Sequence, residues 1–439
     1  MSPAPATGTA SGPAGAIDDI LRAGLLAGLS PSSLAEEFGT PFYVYDLDLV
    51  ERRVEALRAV LPRGFRVAYA VKANPALGVV AHLRRCGVGA DVASGGELET
   101  VLRAGFDPAV VAMTGPGKRD DELAAAVAAG IGFVTVESPG ELRRLEAVAA
   151  AAGRRQPILL RLAVAEDASL ESVRLIGGAA GKFGMPLETI VEAAREAAAS
   201  ADVELLGLHA FGASNLRDAG QLASHVARLV EVARKVSAEA GTRLRLVDAG
   251  GGLGIPYAPG ETSLDIVGLG RRLAGLRTGW DADEALADLE IVLEPGRFLV
   301  GPAGAYVARV VDVKGSDSAP VAILDGGINH VLRPALVRSE HRLAVLASDG
   351  PRAMVPTTVA GPLCTGIDVL TLDAMLPRPR VGDLVAVLDT GAYGFTESMP
   401  FFLSHPSAAE VAVRSGRARL LRPRVTPAET LERQIDPDW

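Results

Sequence analysis

This chain has little of what an extracellular, membrane or nucleic-acid-binding protein needs. Its 439 residues include two cysteines, Cys86 and Cys364, too few for a disulfide framework, so a reducing cytoplasm is the expected compartment. No apolar run approaches the length of a membrane span. A formal net charge of -9 excludes the basic surface that general nucleic-acid binding requires. The opening "MSPAPATGTASGPAGA" has neither a basic nor an apolar segment, so no secretory signal is expected. Its Pro, Gly, Ala and Ser content reads as a disordered tail over residues 1–34. Hydrophobic residues at 49% and charged residues at 22% are ordinary for a soluble enzyme, and the length allows two domains.

What is present is alternation. Strand candidates are "RVAYAVK" (66–72), "GADVAS" (89–94), "VVAMTG" (110–115), "FVTVES" (133–138), "ILLRLAV" (158–164), "VELLGLHAF" (203–211), "RLRLVDAG" (243–250) and "IVLEPG" (291–296). Amphipathic helical runs separate them; Ser138, Pro139 and Glu141 resemble a helix cap and first turn. Eight strands with helices between them predict a parallel (β/α)₈ barrel rather than an open doubly wound sheet. The barrel is expected over 47–297. After Phe298 the helical period thins, and a β-rich second domain is expected over 298–439, joined by 35–46 with the early strand "PFYVYD". No internal repeat beyond the βα alternation is present.

Lys72, Asp91, Ser94, His209, the glycines after Asp248, and Glu294 all fall at the C-terminal ends of barrel strands, where barrel enzymes place their sites. A lysine ending an apolar strand is either a snorkelling side chain or an amine kept for imine chemistry. "DAGGGLGIP" (248–256) is either a tight turn or a cradle of backbone N–H groups for a phosphate. "LEPGR" (293–297) adds an acid, a glycine and an arginine after the eighth strand. Lysine, phosphate cradle and lone carboxylate in one mouth describe a pyridoxal 5'-phosphate site, the carboxylate keeping the pyridine nitrogen protonated.

The sequence resembles the fold-type III pyridoxal-phosphate-dependent decarboxylases, the diaminopimelate, ornithine and arginine decarboxylase group. The resemblance rests on "PFYVYD", "YAVKANP", "DVASGGEL", "GKFG", "DAGGGLG", "LEPGR", "GPLCTGID" and "GAYG", in that order. It implies an alanine-racemase-like barrel, a C-terminal β domain and a homodimer with shared active sites. Lys72 would carry the cofactor as a Schiff base, and Glu294 would face the pyridine nitrogen. Gly251, Gly252, Gly296 and Arg297 would hold the phosphate, with Ser214 nearby and Tyr393 closing over it. Cys364, from the other subunit, would protonate the carbanion left by CO₂; its alternative is a buried structural cysteine. Asp368 and Asp91 would brace the site. Racemases of this fold place an arginine where Glu294 stands, so a racemase is the runner-up, followed by a non-catalytic homologue.

Departures from the family pattern bear on substrate. Phe211 of "GLHAFGAS" stands where a ring-stacking histidine is usual; it is a stacking ring, a core residue, or both. Thr365 and Val337 replace the acid and tyrosine with which diaminopimelate enzymes grip the far end of their substrate, while Arg333 remains, either to bind a carboxylate or as a structural ion pair. Thr365, Arg333, Arg297 and Tyr393 are the expected substrate contacts. "FFLSHP" (401–406), with an uncharged residue after Cys364, resembles a branch that decarboxylates aspartyl or glutamyl groups tethered to an acyl carrier protein in antibiotic biosynthesis. Carrier-bound substrate is thus the primary expectation, and a free amino acid (diaminopimelate, lysine or ornithine) the alternative. Arginines 414, 417, 419, 422 and 424 either meet an acidic carrier or form a solvated charge run.

Overall fold

Parallel strands buried on both faces read as short apolar runs, and the computed structural model of the chain turns eight such runs into a barrel. It describes residues 29–163, 181–258, 260–337, 340–346 and 352–437. After β1 (Phe42–Asp46) come β2 (Phe65–Ala70), β3 (Gly89–Val92), β4 (Val111–Met113), β5 (Phe133–Val136), β6 (Gln156–Arg161), β7 (Val203–His209), β8 (Leu246–Asp248) and β9 (Glu290–Leu293). Strands β2 to β9 pair in sequence order, all parallel, and β2 closes onto β9 with Val67 opposite Leu293. Residue 164, the last of the expected fifth strand, lies outside the described residues, as does most of the expected tail.

The barrel interior is filled by Ala68, Ala112, Phe133, Leu159, Leu246 and Val292, from six of the eight strands, while a second apolar shell joins the strands to the surrounding helices. Helix caps follow the sequence. Ser138 Oγ accepts the Glu141 N–H at 3.1 Å, and Gly153 ends that helix at φ 61°. Among the described residues no helix is long and apolar enough to cross a membrane.

The second domain is a nine-stranded sheet. Its strands are β1 with β10 (Gly304–Ser316), β11 (Ala319–Leu324), β12 (Leu343–Leu346), β13 (Met354–Ala360), β14 (Val369–Pro377), β15 (Leu384–Leu388), β16 (Ala409–Arg414) and β17 (Arg417–Arg422). Strand β1 runs antiparallel to β10 and parallel to β16, so the chain starts in this sheet, builds the barrel, and returns to complete it. Residues 31–34 correct the tail expectation. They open a helix, Pro31–Phe38, capped by Ser30, and its Leu34 and Ala35 are buried against Phe42, Val44 and Val411 of the sheet. Burial of that apolar pair outweighs the tail-like composition before it.

Candidate active site at the barrel mouth

Strand β2 ends at Ala70, two residues before the lysine; Lys72 lies in a 3₁₀ turn, Val71–Ala73. Asn74 fixes that turn. Its Oδ1 accepts the Ala76 N–H at 3.1 Å, and its Nδ2 donates to the Gly391 carbonyl at 3.0 Å. Tyr393, at φ 56°, donates its N–H to the Ala73 carbonyl at 2.8 Å. "YAVKANP" and "GAYG" are therefore stitched together, and the second domain walls the barrel mouth. The cavity between them is about 360 Å³ and is lined by Lys72, Phe211, Ser214, Gly251, Gly252, Glu294, Gly296, Arg297, Arg333, Val337, Tyr393 and Glu397. That volume suits a small-molecule site.

Lys72 Nζ donates to Asp91 Oδ2 at 3.2 Å. The lysine side chain retains 43% of its accessibility, yet what it faces is the cavity; Asp91 is fully enclosed. Burial disfavours the charged amine, but Asp91 first and Glu294 second outweigh it and hold the Lys72 pKa above the ordinary lysine range. That direction is opposite to the lowered pKa that would supply a neutral amine. Burial and the charge of Glu294 push Asp91 upward against the pull of Lys72.

Glu294 is also enclosed. Burial alone would raise its pKa, but the proximity of His209 and the charge of Lys72 bring it down to about 2. His209 Nε2 lies 3.7 Å from Glu294 Oε2. Behind it, Asp248 accepts the Gly250 N–H at 2.9 Å and is pushed well above the carboxylate range by burial and by Glu294. Sequence reasoning places His209 at a strand end but gives Asp248 no role; its position as last residue of β8 is the available signal.

The glycine turn has the required backbone. Gly252 is at φ 97°, and a Cβ there would stand 2.6 Å from the Ala213 carbonyl oxygen. A Cβ on Gly251 would meet the Glu294 carbonyl at 2.6 Å, and one on Gly296 would meet the Ala73 Cβ at 2.7 Å. Among the described residues the N–H groups of Gly251, Gly252, Gly296 and Arg297 have no protein acceptor. Arg297 donates to Tyr257 OH at 2.6 Å and to Ser214 Oγ at 3.2 Å, and stacks 4.7 Å from the Tyr393 ring centre. Phe211 lies against the turn at Gly250, whose Cβ would be 3.1 Å from its ring.

Other expected residues fall elsewhere. Ser94 is not in the cavity lining; its hydroxyl caps the helix Gly95–Arg103 by accepting the Glu97 N–H. Cys364 is exposed on a loop after β13, and neither it nor Thr365 lines the cavity of its own chain. Exposure excludes the buried-cysteine alternative. Asp368 holds that loop, accepting the N–H groups of Leu363 at 2.7 Å and Ile328 at 2.8 Å. Three of the five arginines of the run are engaged: Arg414 pairs with Glu51, Arg422 with Glu410, and Arg424 donates to the Pro41 carbonyl. Glu397, which the sequence motifs do not single out, lines the cavity and binds Arg333 through both oxygens at 2.9 and 2.8 Å.

These groups fit pyridoxal phosphate. Glu294 Oε1, Asp91 Oδ1 and both His209 nitrogens are buried without a hydrogen-bond partner, polar atoms that a ligand can satisfy. The turn N–H groups and Arg297 offer donors to a phosphate.

Residues 47–301 match the family model for the pyridoxal-dependent decarboxylase pyridoxal-binding domain. The chain is 34% identical over 416 residues to a diaminopimelate decarboxylase of Methanothermobacter thermautotrophicus, covering 94% of this chain and 96% of that protein. It is 31% identical over 413 residues to the L-glutamyl-[BtrI acyl-carrier protein] decarboxylase of Niallia circulans, covering 92% and 96%. Among solved structures, diaminopimelate decarboxylase from M. jannaschii in complex with L-lysine superposes with a TM-score of 0.86 at 26% identity, covering 94% of this chain and 95% of that one.

Proposed function

The chain belongs to the pyridoxal-dependent decarboxylases, whose cofactor is pyridoxal 5'-phosphate, and on that premise we propose that it removes the α-carboxylate of an amino acid at the barrel mouth. The observation that carries this reading is the meeting of Lys72, Glu294 and Arg297 around one cavity. When bound, the cofactor supplies an electron sink for the pair left behind as CO₂ departs. Lys72 Nζ is the attachment point, held in place by Asp91. The Glu294 carboxylate, kept ionised, would favour a proton on the ring nitrogen of the bound cofactor. An acid at this position favours decarboxylation over racemisation. Gly251, Gly252, Gly296 and Arg297 would hold the phosphate, and Phe211 would pack on the ring.

Cys364, exposed beside Ile367 at 59% exposure, delivers the final proton from its Sγ when a second copy of the chain docks on this edge. Leu372 at 70% and Met375 at 58% exposure extend the apolar surface along β14. The enzyme is on this reading a cytoplasmic homodimer with shared sites.

For the substrate, a free amino acid takes first place, because diaminopimelate decarboxylases outnumber the carrier-dependent enzyme among the relatives. This reverses the order expected from sequence. A carrier-bound glutamyl or aspartyl group is the second reading, supported by one relative and by Val337 in the cavity wall. The test is CO₂ release by cofactor-loaded protein from diaminopimelate, lysine, ornithine and glutamate, against aspartyl and glutamyl carrier thioesters. Turnover of a free acid at the higher kcat/KM supports the first reading, and turnover of a thioester replaces it with the second. Release from none of them assigns the chain to the non-catalytic homologues.

A further inference from the structure

The cationic side chains lining the cavity differ in what already neutralises them. Lys72 is paired with Asp91 at 3.2 Å. Arg161 is paired with Glu137 at 2.7 Å and stacks on Phe183. Arg333 is paired with Glu397 at 2.8 Å and stacks 4.7 Å from the Tyr393 ring centre. Among the described residues Arg297 alone of these has no carboxylate partner, its guanidinium meeting the hydroxyls of Tyr257 and Ser214. One uncompensated cation beside the glycine turn matches one anion, the cofactor phosphate. A second anion arriving with a substrate side chain finds Arg333 occupied and Glu397 repelling it.

The wall on which this pair sits comes from the second domain and is otherwise Leu336, Val337 and the Tyr393 ring, opposite the barrel residues Lys72 and Glu294. Arg333 keeps 13% and Glu397 29% of side-chain accessibility, so the pair is partly shielded from water, where charge compensation matters more than at an open surface. We infer that Glu397 is a specificity-determining residue: by occupying Arg333 it makes this wall electrically neutral, selecting an α-amino acid whose side chain ends in an uncharged acyl group, such as an ester, amide or thioester, over one ending in a free carboxylate. The inference rests on the decarboxylase reading; it holds for a free or a carrier-borne acyl group and counts against diaminopimelate, whose far end carries a free carboxylate.

The test compares two substrates that differ only at that end, L-glutamate and its γ-methyl ester, on cofactor-loaded enzyme. The native protein should favour the ester by about tenfold or more in kcat/KM. Glu397→Gln frees Arg333 and should shift that ratio toward glutamate by about tenfold. Replacing both residues, Arg333→Met with Glu397→Met, removes both charges and should return the preference to the ester. The ratio is taken on one protein at a time, so loss of folded enzyme cancels. An unchanged ratio in Glu397→Gln, or a native preference for glutamate, overturns the inference. A binding arm separates it from the decarboxylase reading: calorimetric titration with glutarate and monomethyl glutarate. Gain of glutarate binding in Glu397→Gln supports the inference even if neither amino acid is turned over, and no gain overturns it.

Discussion

The Lys72 amine and the Asp91 carboxylate lie 3.2 Å apart, the lysine facing the cavity and the aspartate sealed behind it at the end of β3. The carboxylate cannot leave this position without exposing an unpaired charge inside the barrel, so it fixes where the amine stands. It also keeps that amine protonated, which delays its use as a nucleophile.

The first prediction follows. In Asp91→Asn the larger of the opposing charges is gone, burial is less opposed, and the Lys72 pKa falls. Cofactor attachment to apoprotein, followed by absorbance, should then reach its maximal rate at lower pH than in the native protein. The raised lysine pKa also means that the pair stabilises the fold below the ordinary lysine value of about 10.4 and ceases to do so as pH rises through the raised value. Borohydride reduction and peptide mapping should place the cofactor on Lys72; finding it on another lysine removes the assignment.

Asp248 runs the other way. Its folded pKa is raised, first by burial and then by Glu294, so above about 3.9 the native state binds a proton that the unfolded chain has lost. Stability therefore falls as pH rises through that window. Asparagine keeps an oxygen for the Gly250 N–H and carries no charge. We expect Asp248→Asn to melt at or above the native temperature near neutral pH, with the gap closing toward pH 4; a lower Tm throughout would show that the aspartate is needed ionised. Glu294, held at about 2, has the opposite sign: its contribution is present above about 4.3 and lost as pH falls toward 2.

Gly252→Ala should combine strain with obstruction. At φ 97° an added Cβ lies 2.6 Å from the Ala213 carbonyl oxygen, and the turn must move. Strain of this kind costs about 1–3 kcal/mol. Cofactor affinity, measured by equilibrium dialysis of pyridoxal phosphate, should fall with it, while Gly153→Ala, at a helix end far from the cradle, should leave that affinity unchanged.

Much of the barrel was legible because its eight parallel strands are short apolar runs separated by amphipathic helical segments. Lys72, Glu294 and Arg297 stood out as charged residues at the ends of buried strands, and the glycines as a consecutive run after one of them. Glu397 did not. It sits in a three-residue 3₁₀ turn with no period to read, and its partner Arg333 is distant in sequence, so only the folded chain joins them. Tyr257 was hidden in the same way, 40 residues from the Arg297 it orients. The helix Pro31–Phe38 carried a legible Ser-Pro start, masked by the Ala- and Gly-rich stretch ahead of it.

Cys364 supplies the last prediction. In its own chain it is exposed on the second domain and absent from the cavity that Lys72 lines. If a second copy brings it to the mouth, Lys72→Ala and Cys364→Ala proteins are each inactive but complementary. Random mixing makes half of the dimers mixed, and each mixed dimer carries one intact site, so about a quarter of native activity should return. Subunit exchange can be followed by native mass spectrometry with one partner isotopically labelled. Exchange without recovered activity would mean that the proton donor is another group of the same chain, and the exposed loop at Cys364 would then need a different explanation.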